Sequence, residues 1–395
     1  MSDTSGLRRG TADYRRAVIA LLAAGLATFN ALYCTQAMLP TLTHALDISP
    51  TTAALTISAP TGALALCIVP ASVLSERFGR GKVLIISALL ATSLGLLLPL
   101  AQNAPTLVAL RGLQGVFIAG VPAVAMTWLS EEIAGVDQPR AMGIYISGNA
   151  LGGLLGRMIP ALLLEVTSWR WALFGAAVLA FVMAVLMAWL LPYQRRFHPR
   201  ALHLREELVA MVDHWRRPEL ALLFFFGFAG LGVFVSLYNY VGFRMIDTFG
   251  LSEALVGLVF LLYLAGSWSS ARAGAWMQRV GRGPALTYGA IAMVLGLALS
   301  MPAYLWLTLL GMLIFTAAFF FVHSTASSWV GRIATHHRAE GASMYLLSYY
   351  VGSSVVGWLS GYLFASLSWV GFIASIMVWP VLLVAASMLL RHKAS

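Results

Sequence analysis

Long apolar stretches recur along the chain from Ala17 to the residues before Arg391, separated for the most part by short polar turns. About 20 such residues in a helix, rising roughly 1.5 Å each, span the ~30 Å hydrocarbon core of a bilayer. The pattern predicts about twelve membrane helices, near 17–38, 53–74, 83–100, 106–129, 141–163, 170–191, 219–243, 254–276, 285–302, 304–329, 342–364 and 369–390. The longest polar interruption, 192–218, is punctuated by Pro192, Pro199 and Pro218 and reads as a connection between two halves. Within it Leu204, Leu208, Met211, Val212 and Trp215 recur at helical spacing opposite Arg205, Glu206, Asp213 and Arg216. That spacing predicts a short amphipathic helix on the membrane surface, with a plain tether as the other reading. Loops elsewhere are too short to house a soluble catalytic domain.

The two halves repeat each other. At an offset of 202, Glu76, Arg77, Gly79, Arg80 and Gly81 fall on Gln278, Arg279, Gly281, Arg282 and Gly283; at 200, Tyr145, Gly152 and Trp169 fall on Tyr345, Gly352 and Trp369. The expected fold is an all-α membrane protein of 12 transmembrane helices in two pseudo-symmetric six-helix halves, 1–191 and 219–395, joined by 192–218.

Composition agrees with the pattern: 60% of residues are hydrophobic and 10% charged, which excludes a soluble globular protein. The net charge of +10 resides in loops rather than in one basic patch, so no nucleic-acid partner is expected. Placing the N-terminus in the cytoplasm puts nearly all loop cations inside, including Arg8, Arg9, Arg77, Arg80, Lys82, Arg140, Arg279, Arg282 and Arg338, with Arg170 and Arg244 near the outer face. Both termini are therefore expected to be cytoplasmic. Cys34 and Cys67 lie within apolar runs, where neither disulfide nor metal binding is expected. No cofactor is expected. Enzymatic activity is not expected either, because no nucleophile with a base, and no carboxylate pair at a common depth, is visible.

Candidate chemistry concentrates in a few segments. The loop residues Glu76, Arg77, Gly79 and Arg80, with their counterparts Gln278, Arg279, Gly281 and Arg282, gather charge at a tight turn and read as a conformational latch; Gln278 makes the second copy the weaker one. Arg111 and Gln114 sit in the fourth predicted helix, where the arginine either faces a cavity or partner or snorkels to the outer interface. The fifth helix carries Gly148, Asn149, Gly152, Gly153, Gly156 and Arg157, with glycines four apart that let helices approach closely. Arg157 and Arg111 fall at similar depth, a cationic zone that favours an anionic or carbonyl-rich substrate, or else a pair bonded to backbone carbonyls. Acidic residues all map to termini, loops or helix ends, which leaves His323, among Ser324, Thr325, Ser327 and Ser328, as the titratable group near mid-helix. Asn30, Tyr33 and Gln36 in the first helix, and Asn239 and Tyr240 in the seventh, are amides and phenols suited to line a pathway, the tyrosines alternatively being interfacial. The role of Arg272 stays open.

These segments resemble the major facilitator superfamily over nearly the whole chain. Leu74, Arg77, Gly79 and Arg80 fall in register with its loop signature Gly-x-Leu-Ala-Asp-Arg-x-Gly-Arg-Lys, with Ser72, Ser75 and Glu76 replacing glycine, alanine and aspartate. Arg111-x-x-Gln114-Gly115 is similar to a segment of proton-coupled members, and the fifth helix to the Gly-rich signature of drug and metabolite antiporters, with Gly156-Arg157 where the family has Gly-Pro. The resemblance extends to bacterial inner-membrane exporters sharing Tyr238-Asn239-Tyr240-x-Gly242-Phe243-Arg244. It implies a monomeric secondary transporter that moves a small molecule through the lipid bilayer of a bacterial inner membrane by alternating access, most simply proton-coupled efflux. A lipid or metabolite uniporter or flippase, or a receptor that has lost transport, are the alternatives.

Overall fold

The computed structural model describes residues 6–197, 204–336 and 338–394, so Asp3, Pro199 and Arg200 lie outside the described residues. Among the described residues there are sixteen α-helices and no β-strand. They are α1 (Ala12–Tyr33), α2 (Leu39–Leu46), α3 (Pro50–Phe78), α4 (Arg80–Leu97), α5 (Ala104–Ile118), α6 (Pro122–Glu132), α7 (Gln138–Leu164) and α8 (Trp169–Leu190), then α9 (Leu204–Trp215), α10 (Pro218–Asp247), α11 (Glu253–Val259), α12 (Tyr263–Val280), α13 (Arg282–Leu299), α14 (Leu305–Ile333), α15 (Arg338–Ser366) and α16 (Trp369–Ala394).

These helices supply the twelve expected spans. Nine helical segments among the described residues are long and apolar enough to cross a bilayer, α1 counting with α2 and α11 with α12. The fourth span is shared by α5 and α6, which break at Ala119–Val121 ahead of Pro122 at the start of α6. The fifth and eleventh, α7 and α15, are single helices of 27 and 29 residues whose glycines, serines and tyrosines dilute their apolar character.

The helices gather into two compact units, Met1–Met38 with Ala59–His203, and Leu39–Ser58 with Leu204–Ser395. In the first, α1 packs on α7 and α8, and α4 on α8 and α5. In the second, α10 packs on α15, α14 and α16, and α13 on α14 and α16. Residues 39–58, which run from the turn after α1 into the second predicted helix, pack within the second unit: the Thr41 hydroxyl donates to Glu253, Pro40 abuts Gly242, and Thr51 lies against Gly361. The amphipathic segment forms α9, and one of its faces packs on α10 and α15. Met211 and His214 are buried, and the Trp215 ring meets Phe224 edge-on with centroids 5.0 Å apart. Val209 and Val212 are exposed.

The repeat reappears as matched helix pairs. Each unit has a matched pair in very close approach, α1 with α7 and α10 with α15. A methyl group built on Gly152 would stand 2.7 Å from the Leu26 carbonyl oxygen, and one on Gly156 2.7 Å from that of Asn30. In the second unit Gly352 lies against the Phe228 carbonyl. Leu26 and Phe228 are 202 positions apart and Gly152 and Gly352 are 200 apart, so the duplicated sequence makes the same contact twice. Backbones this close leave no volume for a side chain. The loops that open α4 and α13 are matched too, with Gly79 at φ 101° and Gly281 at φ 85°, in a region that disfavours any residue with a Cβ.

Substituting Gly152→Val or Gly352→Val is expected to destabilise the protein by about 1–3 kcal/mol through overpacking. Gly143→Ala, where the added Cβ meets nothing within 4 Å, should not destabilise the protein by more than ~0.5 kcal/mol. Unfolding titrations of the purified variants measure the difference.

Candidate functional site

The first unit's chemistry is organised by the place where α1 stops. α1 ends at Tyr33, and the chain makes one tight turn through Gln36–Met38 before resuming as α2. A helix end leaves its last carbonyl oxygens without intrahelical donors. Arg111 of α5 supplies them: its Nη1 donates to the Ala31 carbonyl at 2.6 Å and its Nη2 to that of Leu32. Nη1 also donates to the Gln114 side-chain oxygen, and Gln114 donates in turn to the Ala91 carbonyl of α4 at 2.9 Å. Both residues are fully buried, so Arg111 does not snorkel to an interface. A buried guanidinium is costly, and here both of its terminal nitrogens donate to carbonyls at the negative end of a helix dipole. Arg111 and Gln114 bolt α1, α4 and α5 together.

Arg157 of α7 meets the same turn from the other side. It is 2% exposed, its Nε donates to the Gln36 side-chain oxygen at 2.6 Å, and Nη1 donates to the Gly153 carbonyl. Its guanidinium carbon lies 4.0 Å from the centre of the Tyr33 ring, a cation–π stack. Asn30, Tyr33 and Gln36 are three residues apart on α1 and its continuing turn, so they follow one side of it. The Asn30 amide is 1% exposed, and neither its oxygen nor its nitrogen has a hydrogen-bond partner among the described residues. A buried amide in that state invites a water or ligand. Asn149 is set apart, against Gly25 two turns along α7.

In the second unit His323 of α14 joins an aromatic group. Its Nδ1 is 3.0 Å from the Tyr345 hydroxyl of α15, and its ring centre lies 4.6 Å from Tyr349 and 6.2 Å from Phe319. Phe319 stacks on Phe234 of α10 at 4.2 Å, and Ser324 hydrogen-bonds Ser270 of α12. Tyr240 belongs elsewhere: fully buried, it stacks on Phe364 at 4.8 Å, meets Phe372 edge-on and donates to the Gly357 carbonyl at 3.2 Å. Asn239 is buried beside it in α10, and Arg272 is exposed, its guanidinium 4.3 Å from the centre of the Trp268 ring.

The two loop copies differ. Arg80 is buried and donates through Nε to Glu131 at 2.7 Å, with Glu76 at 3.6 Å and the Ser75 hydroxyl at 3.1 Å. Arg77 is exposed against Phe78. In the second copy Gln278 and Arg279 are exposed. The buried Nε of Arg282 has no hydrogen-bond partner among the described residues. The acid that distinguishes the copies, Glu131, is visible in the sequence as half of a Glu-Glu pair closing the fourth span, but its partner lies 51 residues away. Tyr345 and Tyr349 had a signal too, since their four-residue spacing puts both on one helix face.

Replacing Arg111 by alanine removes the donors of two buried carbonyls and should cost about 2–4 kcal/mol. Arg111→Lys, which keeps the charge without the fork, should fall between alanine and wild type. Denaturant unfolding in detergent measures both.

The pattern of helices and loops has counterparts in known proteins. The family model of the Major Facilitator Superfamily matches residues 21–267. The inner membrane transport protein YnfM of Escherichia coli (strain K12) is 40% identical, covering 95% of this chain and 91% of that protein. The MFS-type transporter YybF of Bacillus subtilis (strain 168) is 36% identical, covering 96% and 94%. Among solved structures, a bacterial homologue of the human lysosomal transporter Spinster aligns with a TM-score of 0.77 at 14% identity over 97% of both chains, a likeness of fold. Duplicated six-helix sequence, glycine-paired helices and relatives that span nearly its full length together make this chain a member of the major facilitator superfamily, a multi-pass membrane transporter and not an enzyme.

Proposed function

We propose that the protein exports a small molecule bearing an anionic or carbonyl-rich group, exchanging it for protons by alternating access. It would work as a monomer in a bacterial inner membrane with both termini in the cytoplasm. The observation that carries this reading is Arg157. A guanidinium is held inside a membrane span by a neutral amide, a backbone carbonyl and a phenol ring, in a sequence whose acidic residues map to loops and helix ends. Charge kept at that depth is a functional signature in membrane proteins, and a planar fork suits a carboxylate or phosphate. The amide of Asn30, one turn before Tyr33, adds donor and acceptor capacity on the same side of α1.

His323 is the group assigned to the proton. It sits mid-helix in α14, bonded to Tyr345. The Arg80–Glu131 pair is the latch of the first unit, a charge pair at a glycine-hinged turn. The name of the relative from Escherichia coli supports the inner-membrane placement.

Metabolite profiling of a deletion strain against an overexpressing strain identifies the cargo, and everted membrane vesicles then measure its transport. Accumulation should require a pH gradient and collapse when the gradient is discharged; accumulation indifferent to the gradient would overturn the proton coupling. Arg157→Ala should lower transport about 10- to 100-fold at normal expression, the loss of one charge-assisted bond to the cargo. Wild-type rates in that variant would overturn the anion site while leaving the transporter assignment standing.

A further inference from the structure

The last residues of α6 and the first residues after α8 are joined by hydrogen bonds centred on Glu132, beside the Arg80–Glu131 pair. Glu132, the final residue of α6, is 2% exposed, and its Oε1 accepts the backbone N–H of Arg195 at 3.0 Å and of Arg196 at 2.8 Å. Neighbouring Glu131 receives the Arg80 guanidinium on one oxygen and the Gln194 amide, at 3.2 Å, on the other. The oxygen of that same Gln194 amide accepts the backbone N–H of Gly81 at 3.1 Å, and the Arg196 guanidinium donates to the Glu131 carbonyl at 3.3 Å. One short stretch, 193–197, is thus tied to the end of α6 and to the α3–α4 turn by five hydrogen bonds that run through backbone or buried groups in every case but one.

The chain before α1 docks on the α6–α7 turn, which Glu132 opens. Leu7 donates to the Glu132 carbonyl at 2.8 Å and accepts from Ala134 at 3.0 Å, and the Arg9 backbone N–H donates to the Asp137 carboxylate at 2.9 Å. A buried carboxylate is costly without donors, and two backbone N–H groups on one oxygen are charge-assisted bonds of the stronger kind. The exposed pair of Arg195 with Asp13, at 2.9 Å, adds little.

The internal repeat supplies a comparison. At the offset of 202, Glu131 and Glu132 correspond to Ile333 and Ala334. The acid pair is therefore no requirement of the shared six-helix plan. It occurs in the half whose last helix leads into the inter-unit connection.

We infer that Glu132 is a positioning residue that clamps the start of the connection to the first unit, so that Tyr193–Phe197 moves as part of that unit. Gln194 links the clamp to the α3–α4 turn through Gly81 and Glu131. The consequence for transport rests on the alternating-access reading: Tyr193–Phe197 follow the first unit whenever it moves. The clamp itself does not rest on that reading.

Amide hydrogen exchange on the intact protein in lipid nanodiscs tests it without a substrate. In the wild type the Arg195 and Arg196 amides should exchange at least about 10-fold more slowly than their unprotected sequence rate, and Glu132→Ala should accelerate them about 10- to 100-fold. Glu132→Gln, whose neutral oxygen still accepts, should fall between. Amides in α16 should be unchanged in both variants. Unprotected Arg195 and Arg196 amides in the wild type would overturn the clamp, whether or not the variants fold. So would an alanine variant in which their exchange is unaltered.

Discussion

A guanidinium inside a membrane span has to be satisfied by protein, because hydrocarbon offers no acceptor. In the first unit that demand is met by the broken end of α1. Arg111 takes the carbonyls of Ala31 and Leu32, which the end of the helix leaves without intrahelical donors. The two deficits cancel: an unsatisfied helix terminus and a buried cation each destabilise alone, and together they fix where α1 must stop. The turn that follows presents Gln36 to Arg157, with Tyr33 stacked beneath it. The candidate anion site thus inherits its geometry from a helix end that another arginine holds in place.

The duplicated halves share backbone geometry more than chemistry. Glycine contacts between α1 and α7 recur between α10 and α15, and the positive-φ glycines recur at both loops. Several of the polar groups do not recur. Arg157 corresponds by the repeat to Gly357, Glu131 to Ile333, and the second unit offers His323 with Tyr345 and Tyr349 where the first offers arginines. Duplication supplies two similar frames, and the divergence of their polar residues gives one unit cationic and the other aromatic chemistry. The Arg80–Glu131 ion pair and the hydrogen bonds of Glu132 to the chain after α8 belong to the first frame alone among the described residues.

Much of the architecture was legible because membrane spans are written in local composition. Twelve apolar stretches, the polar interruption that holds α9, and the glycines of α7 can each be read without knowing any partner. What local pattern cannot hold is the identity of a distant partner. The donors of Arg111 go to backbone carbonyls, which every residue carries and no sequence motif marks. Residues 39–58 join the second unit because of contacts such as Thr41 with Glu253, more than 200 positions away. Tyr240 resembles a lining phenol in sequence, yet Phe364 and Phe372 enclose it, and only packing reveals this. Glu131 and Glu132 look like ordinary loop charges until the chain after α8 folds back onto them.

Coupling between the two arginines is the feature on which the account stands, and a double-mutant cycle measures it. Arg111→Lys and Arg157→Lys, singly and together, can be compared by denaturant unfolding in the same detergent. Because both side chains bear on Ala31–Gln36, the end of α1 and the turn after it, loosening one should alter the value of the other, with an interaction energy of about 1 kcal/mol or more. Strict additivity within ~0.3–0.5 kcal/mol would show that Arg111 does not position the contacts of Arg157, and would contradict the account.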